Sequence, residues 1–108
     1  STKDVFLNIA GGLKIEDPAV DLAVLGAILS SIYDAAIPLD WALSGEVGLA
    51  GEIRSVARAD QRALESHRLG FHRFLSASFP REAASALPSG LCHGVNKVEE
   101  LTKLLLRS

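Results

Sequence analysis

The sequence is poor in sulfur and in aromatic side chains: its 108 residues include no methionine, one cysteine, one tryptophan, one tyrosine and four phenylalanines. With Cys92 alone, the chain can form neither an internal disulfide nor a zinc site of four cysteines. The longest uncharged apolar stretch, residues 22–31, is shorter than the ~20 residues that span a bilayer. Residues 1–4 lack the basic start and apolar run of a signal peptide. We therefore expect a cytoplasmic protein with no membrane partner.

The apolar content is high enough for a folded domain. The chain is 48% apolar and 22% charged, whereas disordered segments have few apolar residues and a high net charge. A domain typically comprises ~100–200 residues. We therefore expect one domain over residues 1–108.

The charges are distributed unevenly, although the net charge is only −2. Residues 1–52 carry two lysines and eight acidic residues, whereas residues 53–81 carry six arginines and two acidic residues. Such a cluster predicts either a basic face that contacts an acidic partner or a solvated helix face with local ion pairs.

Hydrophobic periodicity predicts helices at three places. Asp17-Pro18 is a typical helix start, and the helix that follows at 19–33 is apolar almost all round, so we expect it to be central and buried. Its small residues form a stripe that a neighbouring element can approach closely: Ala19, Ala23, Gly26, Ala27 and Ser30. Further helices are predicted at 59–69, closed by Gly70, and at 98–106, and residues 80–87 are predicted to form a short helix or a loop.

Alternating apolar residues and glycines predict the strands. They are expected at 4–9, stopped by Gly11-Gly12, at 41–44 running into a hairpin that turns near Ala50-Gly51, at 71–77 and at 91–95. Strands mixed with helices, including a hairpin, predict an α+β fold rather than a doubly wound sheet.

The arginines are the strongest candidates for ligand contacts. Arg54, Arg58 and Arg62 are four residues apart, so they align on one side if the helix begins early, and Arg58 and Arg62 are expected to share a face in any case. Glu65 can pair with Arg62 or Arg68, so part of the set is expected to be structural. The candidates for phosphate contacts are Arg54, Arg58, Arg62, Arg68 and Arg73.

Motifs for catalysis or metal binding are absent from the sequence. It has no Gly-x-x-x-x-Gly-Lys-Ser/Thr phosphate loop, and the spacing of His67, His72 and His93 matches no zinc module. Nucleophile candidates exist (Ser30, Ser31, Ser44 and Cys92), but none lies in a Gly-x-Ser-x-Gly elbow. We therefore predict no metal or cofactor in this chain.

Four segments carry a family resemblance. Residues 4–15, 17–23, 45–54 and 69–71 together resemble the C-terminal domain of the RadA (Sms) family of bacterial DNA repair proteins, and the resemblance covers about residues 4–106. It implies a fold similar to the proteolytic domain of Lon protease, an α+β fold like domain 2 of ribosomal protein S5. It also implies that the chain begins inside this domain, so that it is truncated at its N-terminus.

The resemblance also implies that this domain is not an enzyme. Lon-type peptidases use a serine and a lysine, and the corresponding positions hold Ala19 and Asp60, which can neither attack a carbonyl nor act as an amine base. The catalytic pair is therefore degenerate. The alternative is a residual peptidase of Lon type with a relocated serine such as Ser44.

For the parent protein, the resemblance implies a hexameric ring with a RecA-like ATPase that drives branch migration in homologous recombination. The ATPase, with ATP and Mg²⁺, and a zinc finger are expected upstream of this chain. The expected partners are DNA, bound without sequence preference, and sister subunits. A further alternative is purely structural: the domain holds the ring, and the arginines meet acidic residues of a neighbouring subunit, Glu16, Asp17 and Asp21, in a head-to-tail contact.

Overall fold

The computed structural model of the chain describes residues 18–78 and 85–107. The predicted strand at 4–9, its Gly11-Gly12 stop, Asp17 and most of the segment at 80–87 lie outside the described residues. The predictions for these segments therefore remain predictions.

The described elements follow the predicted order closely. They are a 3₁₀ turn Pro18–Val20, α1 Asp21–Tyr33, β1 Trp41–Leu43, β2 Glu46–Val47, β3 Ile53–Arg54, α2 Ala59–Arg68, β4 Arg73–Ser76, β5 Cys92–Gly94 and α3 Val98–Arg107. The hairpin turn is where it was expected, since Gly51 has a φ of 83° and β2 pairs antiparallel with β3. Gly70, with a φ of 101°, follows the end of α2 as predicted.

The main sheet is parallel, which the sequence had not indicated. Its strand order is β1-β4-β5, with Ala42 opposite Phe74 and Phe74 opposite Cys92. The β2–β3 hairpin forms a separate sheet of two strands. The mixture of a parallel sheet, a hairpin and helices is a compact α+β arrangement, so the coarse fold class is confirmed.

The sheet is buried on both faces because β4 sends consecutive side chains in opposite directions. Leu75 packs into the larger core, which contains Leu22, Leu25 and Leu29 of α1 and Leu101 and Leu105 of α3. Phe74 points to the other face and packs with Ala63 of α2 and with Leu91. Helices on both faces are the usual environment of a parallel sheet.

Helix α1 is buried on one side only, so the prediction of a helix buried all round is wrong. Its core contacts are the leucines at helical spacing, whereas Ile32 and Tyr33 are 48% and 43% exposed. The small residues also differ in their surroundings. Gly26 lies where an added Cβ would be 3.0 Å from Leu43, but Ala23 is exposed. Helix α1 therefore has more apolar residues than one packed face requires.

A network of hydrogen bonds joins the start of α1 to the corner between β1 and β2. Leu22 N donates to Gly45 O, and Gly45 N donates to Ala19 O, each over 2.9 Å. Val47 N donates to the Asp21 carboxylate at 3.1 Å. Asp21 is only 6% exposed, so it cannot meet another subunit, and its predicted role in a head-to-tail contact is wrong.

This corner leaves no room for a side chain at Gly45. A Cβ there would be 2.9 Å from Ile53 Cγ2 and 3.4 Å from Leu22 Cδ2, and a β-branched methyl cannot move away without shifting its backbone. We predict that Gly45→Ala lowers the free energy of unfolding by about 1–3 kcal/mol, measured by urea denaturation.

Gly48→Ala is the matched control for this change. Its Cβ would overlap the carboxylate of Glu52, which is the far end of a flexible side chain and can move into solvent. The control should therefore lose less stability than Gly45→Ala. Equal losses in the two variants would contradict the packing argument.

Candidate functional site

The predicted alignment of Arg54, Arg58 and Arg62 on one helix face is wrong. Arg54 belongs to strand β3, and α2 begins only at Ala59. Arg58 precedes the helix in a left-handed conformation with a φ of 59°, so the chain turns there and spacing by four residues no longer places side chains on one face. The helical register starts with the carbonyl of Arg58, which accepts from Arg62 N at 2.9 Å.

Arg54 is occupied by acidic neighbours of the hairpin. Its guanidinium is 3.2 Å from Glu46 Oε1 and 3.0 Å from Glu52 Oε2. The pKa of Glu52 lies below its ordinary value, chiefly because the carboxylate accepts from its own backbone amide and next because it accepts from Arg54. Arg54 therefore holds the hairpin, and of the five candidates it is the least suited to a phosphate contact.

Arg62 and Arg68 are partly engaged. Arg62 Nε donates to the carbonyl of Ala57 at 3.0 Å. Arg68 lies 3.7 Å from Glu65, with both side chains more than 60% exposed, so the predicted pairing of Glu65 with Arg68 is confirmed. Exposed pairs of this kind contribute only about 0–1 kcal/mol, so Arg68 can exchange this partner for another anion at little cost.

Arg58 and Arg73 are exposed, and no acidic group among the described residues lies within ion-pair distance of either. Arg58 stands at the start of α2, and Arg73 begins β4 shortly after α2 ends. Helix α2, about 15 Å long at 1.5 Å per residue, lies between them in the sequence. A left-handed conformation costs a residue other than glycine about 1–2 kcal/mol, so Arg58 is strained.

A cleft of about 350 Å³ opens between α1, β1, α2 and β4. We call it the α1–α2 cleft. Its lining is mostly apolar and includes Ala19, Ala23, Ala42, Leu69 and Phe74, with Arg62, Glu65 and Ser66 contributed by α2. Of the small residues in the predicted stripe, Ala19 and Ala23 line this cleft, whereas Gly26 lies close to Leu43. The small residues alone therefore do not predict the cleft.

The two positions that the resemblance predicts to be degenerate differ in their relation to this cleft. Ala19 is part of its lining and Asp60 is not. Asp60 is exposed in the first turn of α2, where a carboxylate interacts favourably with the positive end of the helix dipole. Asp60 therefore has a structural explanation that requires no catalysis.

Ser44 also lines the α1–α2 cleft. It is 8% exposed, and its Oγ is buried without a hydrogen-bond partner. A serine nucleophile needs a base within hydrogen-bond reach, and none is in contact with Ser44 Oγ. The other thiol or hydroxyl of note, Cys92, has a pKa raised by burial, which disfavours the reactive thiolate.

Within residues 18–78 and 85–107, no three His, Cys, Asp or Glu side chains converge on a point that could hold a metal ion. Over the same ranges, no helix has the length and apolar character needed to cross a membrane.

Comparison with known proteins gives one consistent set of relatives. The chain is 42% identical over 110 residues to the DNA repair protein RadA of Chlamydia pneumoniae, covering 97% of this chain and 24% of that protein. It is 38% identical to RadA of Aquifex aeolicus, covering 95% of this chain and 22% of the relative. For RadA of Escherichia coli the identity is 41%, with 91% and 21% covered. The chain thus spans about a quarter or less of the length of these relatives, and no family model matches it.

The unpaired hydroxyl in the cleft leads to a test of stability. Leaving a buried hydroxyl without a partner costs about 1–3 kcal/mol. We therefore predict that Ser44→Ala leaves the free energy of unfolding unchanged or raises it by about 1 kcal/mol, measured by urea denaturation.

Ser66→Ala is the matched control, since Ser66 is 7% exposed and its Oγ donates to Ala63 O at 2.7 Å. Loss of this hydrogen bond should cost about 0.5–1.5 kcal/mol. A loss at Ser44 as large as that at Ser66 would mean that the Ser44 hydroxyl has a partner in solution.

Proposed function

This chain is homologous to a C-terminal fragment of the bacterial DNA repair proteins named RadA, and we propose that it is a non-catalytic module for DNA binding and ring assembly. The resemblance noted in the sequence is thereby confirmed, and a role in DNA repair follows from the relatives. We further propose that the parent is a cytoplasmic, ring-shaped ATPase with a Lon-like module at its C-terminus, acting in branch migration during homologous recombination.

The DNA-binding proposal rests on the position and surroundings of Arg58. It is exposed, it has no acidic partner among the described residues, and it is held at a φ of 59°. Its charge also lies at the positive end of the α2 dipole, where a cation is disfavoured. The fold thus gains nothing visible from an arginine at this position, whereas a phosphate group would compensate its charge.

The other arginines support this role to different degrees. Arg73 has no acidic partner among the described residues, Arg62 and Arg68 are partly engaged, and Arg54 is bound to two carboxylates. Contacts of arginine with phosphates carry no sequence information. Binding should therefore be independent of sequence and should weaken steeply as salt is added.

We predict that Arg58→Gly separates fold stability from DNA binding. Glycine accepts a positive φ without strain, so the free energy of unfolding should rise by about 1 kcal/mol. DNA affinity should fall at the same time, because one phosphate contact is lost. In fluorescence anisotropy with a labelled duplex between about 50 and 200 mM salt, the slope of log K against log salt should decrease in magnitude by about 0.9.

Arg54→Gln is the control, because it removes a charge of the same sign that is already neutralised by Glu46 and Glu52. Its salt slope should stay close to that of the unaltered chain. If Arg58→Gly, alone and combined with Arg73→Ser, binds DNA as the unaltered chain does at every salt concentration, these arginines have no part in DNA binding.

A residual peptidase of Lon type is the alternative that the sequence left open. The position of Ser44 in the cleft favours it, but the missing base and the alanine at position 19 do not. Arg62, Glu65 and Ser66 are the polar groups that α2 contributes to the cleft. None of them hydrogen-bonds to Ser44 Oγ, so the geometry supports a non-catalytic role better.

For ring assembly, the exposed end of α1 is the surface we propose. Ile32 and Tyr33 are each more than 40% exposed, and apolar side chains side by side favour burial against another subunit.

We predict that light scattering on the chain shows oligomers whose mass falls toward that of the monomer in Ile32→Ser/Tyr33→Ser. Leu49→Ser, which changes a residue that is 59% exposed at the hairpin turn, should leave the mass unchanged. A chain that remains monomeric at high concentration would remove the support for this surface.

A further inference from the structure

The α1–α2 cleft lies at an edge of the main sheet. Helices α1 and α2 pack on opposite faces of this sheet, because Leu22 and Leu75 belong to one core cluster, whereas Ala63 and Phe74 belong to the other. Residues of both helices line the cleft, and a space that touches helices from both faces can open only at an edge of the sheet. That edge belongs to β1, which is an outer strand and contributes residues 42–44 to the lining.

The backbone of β1 presents hydrogen-bonding groups on this edge. Ser44 N donates to Leu75 O at 2.9 Å, so the backbone groups of residues 42 and 44 point toward β4. Successive residues of a strand direct these groups to opposite sides, so the amide and carbonyl of Leu43 point away from β4, and no described strand pairs with them there. Leu43 is half-buried, and buried backbone groups without partners are rare. We call this side of β1 the open edge.

The surroundings of the open edge suit one further strand. Neighbouring strands lie about 4.8 Å apart, and a parallel sheet is normally covered by helices on both faces. Here α1 and α2 already line both sides of the space next to β1. The charged groups of the wall are engaged within the domain, since Arg62 Nε donates to Ala57 O and Glu65 pairs with Arg68. A strand in this space therefore needs apolar side chains on both of its sides.

The chain itself carries a segment of this kind at residues 4–9, outside the described residues. Its sequence is Asp-Val-Phe-Leu-Asn-Ile. In a strand, Val5, Leu7 and Ile9 would share one side and Phe6 would lie on the other. Both sides of the segment would thus present apolar side chains, as the two walls of the cleft require.

The position of the described chain brings this segment to the cleft. The described residues begin at Pro18, and Ala19 lines the cleft. Ala19 O accepts from Gly45 N at 2.9 Å, so the chain enters beside the end of β1. The eight residues 10–17 can span up to about 26 Å, whereas the three residues of β1 are only about 10 Å long. Residues 4–9 can therefore reach every point of the open edge.

We propose that residues 4–9 of this chain pair as a strand with the open edge of β1 and fill the α1–α2 cleft. The amide and carbonyl of Leu43 then have main-chain partners, and the apolar side chains of the segment lie between α1 and α2. A segment in this position occupies the space that a peptidase substrate would need. The proposal does not rest on DNA binding, because Arg58 and Arg73 lie outside the lining of the cleft.

Hydrogen exchange and nuclear Overhauser effects test the pairing in the isotope-labelled 108-residue chain. We expect the Leu43 amide to exchange roughly 100-fold more slowly than in an unfolded peptide. A nuclear Overhauser effect should also connect this amide to a backbone proton of residues 4–9. The Ser44 amide is the internal control, because its acceptor, Leu75 O, belongs to the described sheet.

A proline in the segment provides the matching variant. Leu7→Pro removes a backbone donor and is incompatible with the interior of a paired strand, so the protection of Leu43 relative to Ser44 should fall about tenfold. Thr2→Pro, which lies outside residues 4–9, should leave this ratio unchanged. If Leu7→Pro fails to fold, the nuclear Overhauser effects of the unaltered chain still decide the matter.

Three results would overturn the proposal. The first is exchange of the Leu43 amide at the rate of an unfolded peptide. The second is an equal change of the Leu43-to-Ser44 ratio in Leu7→Pro and Thr2→Pro. The third is a nuclear Overhauser effect between Leu43 and another molecule in a mixture of labelled and unlabelled chains, which would assign the open edge to a second copy of the chain.

Discussion

The arrangement of this domain depends on the short contact between the start of α1 and the corner that follows β1. Three backbone amides hold this contact, two of them donating to carbonyls and the third to the buried carboxylate of Asp21. Gly45 permits it because a Cβ would collide with Ile53. The same contact brings Ala19 and Ser44 to the wall of one cleft. Backbone geometry at a single corner therefore positions both the core helix and the candidate binding surface.

The arginines of residues 53–81 are close in the sequence but differ in their roles. Arg54 lies on a strand whose hairpin partner presents Glu46, so its charge is neutralised locally. Arg58 follows four residues later but occupies a left-handed turn before α2, where no carboxylate among residues 18–78 and 85–107 pairs with it. The difference arises because α2 begins after Arg58. Although the arginines are regularly spaced in the sequence, Arg54 is therefore a structural cation, whereas Arg58 is available for a ligand.

The cleft combines apolar walls with few polar groups. Ala19 and Ser44 both line it, and the buried Ser44 hydroxyl has no hydrogen-bond partner. Apolar walls supply affinity through burial, and isolated polar groups supply orientation. The lining includes Arg62 but neither Arg58 nor Arg73, the two arginines that were predicted to bind DNA and that have no acidic partner among the described residues.

Turn chemistry and periodicity are local, so the sequence predicts the turns at Gly51 and Gly70 and the helices α1, α2 and α3. Family resemblance, also a property of the sequence, identifies the RadA relatives. The parallel pairing of β1, β4 and β5, the exposed side of α1 and the burial of Asp21 are visible in the tertiary structure alone. These features depend on contacts between residues that are distant in the sequence. The residue type, whether apolar or carboxylate, does not specify which partner the residue will contact.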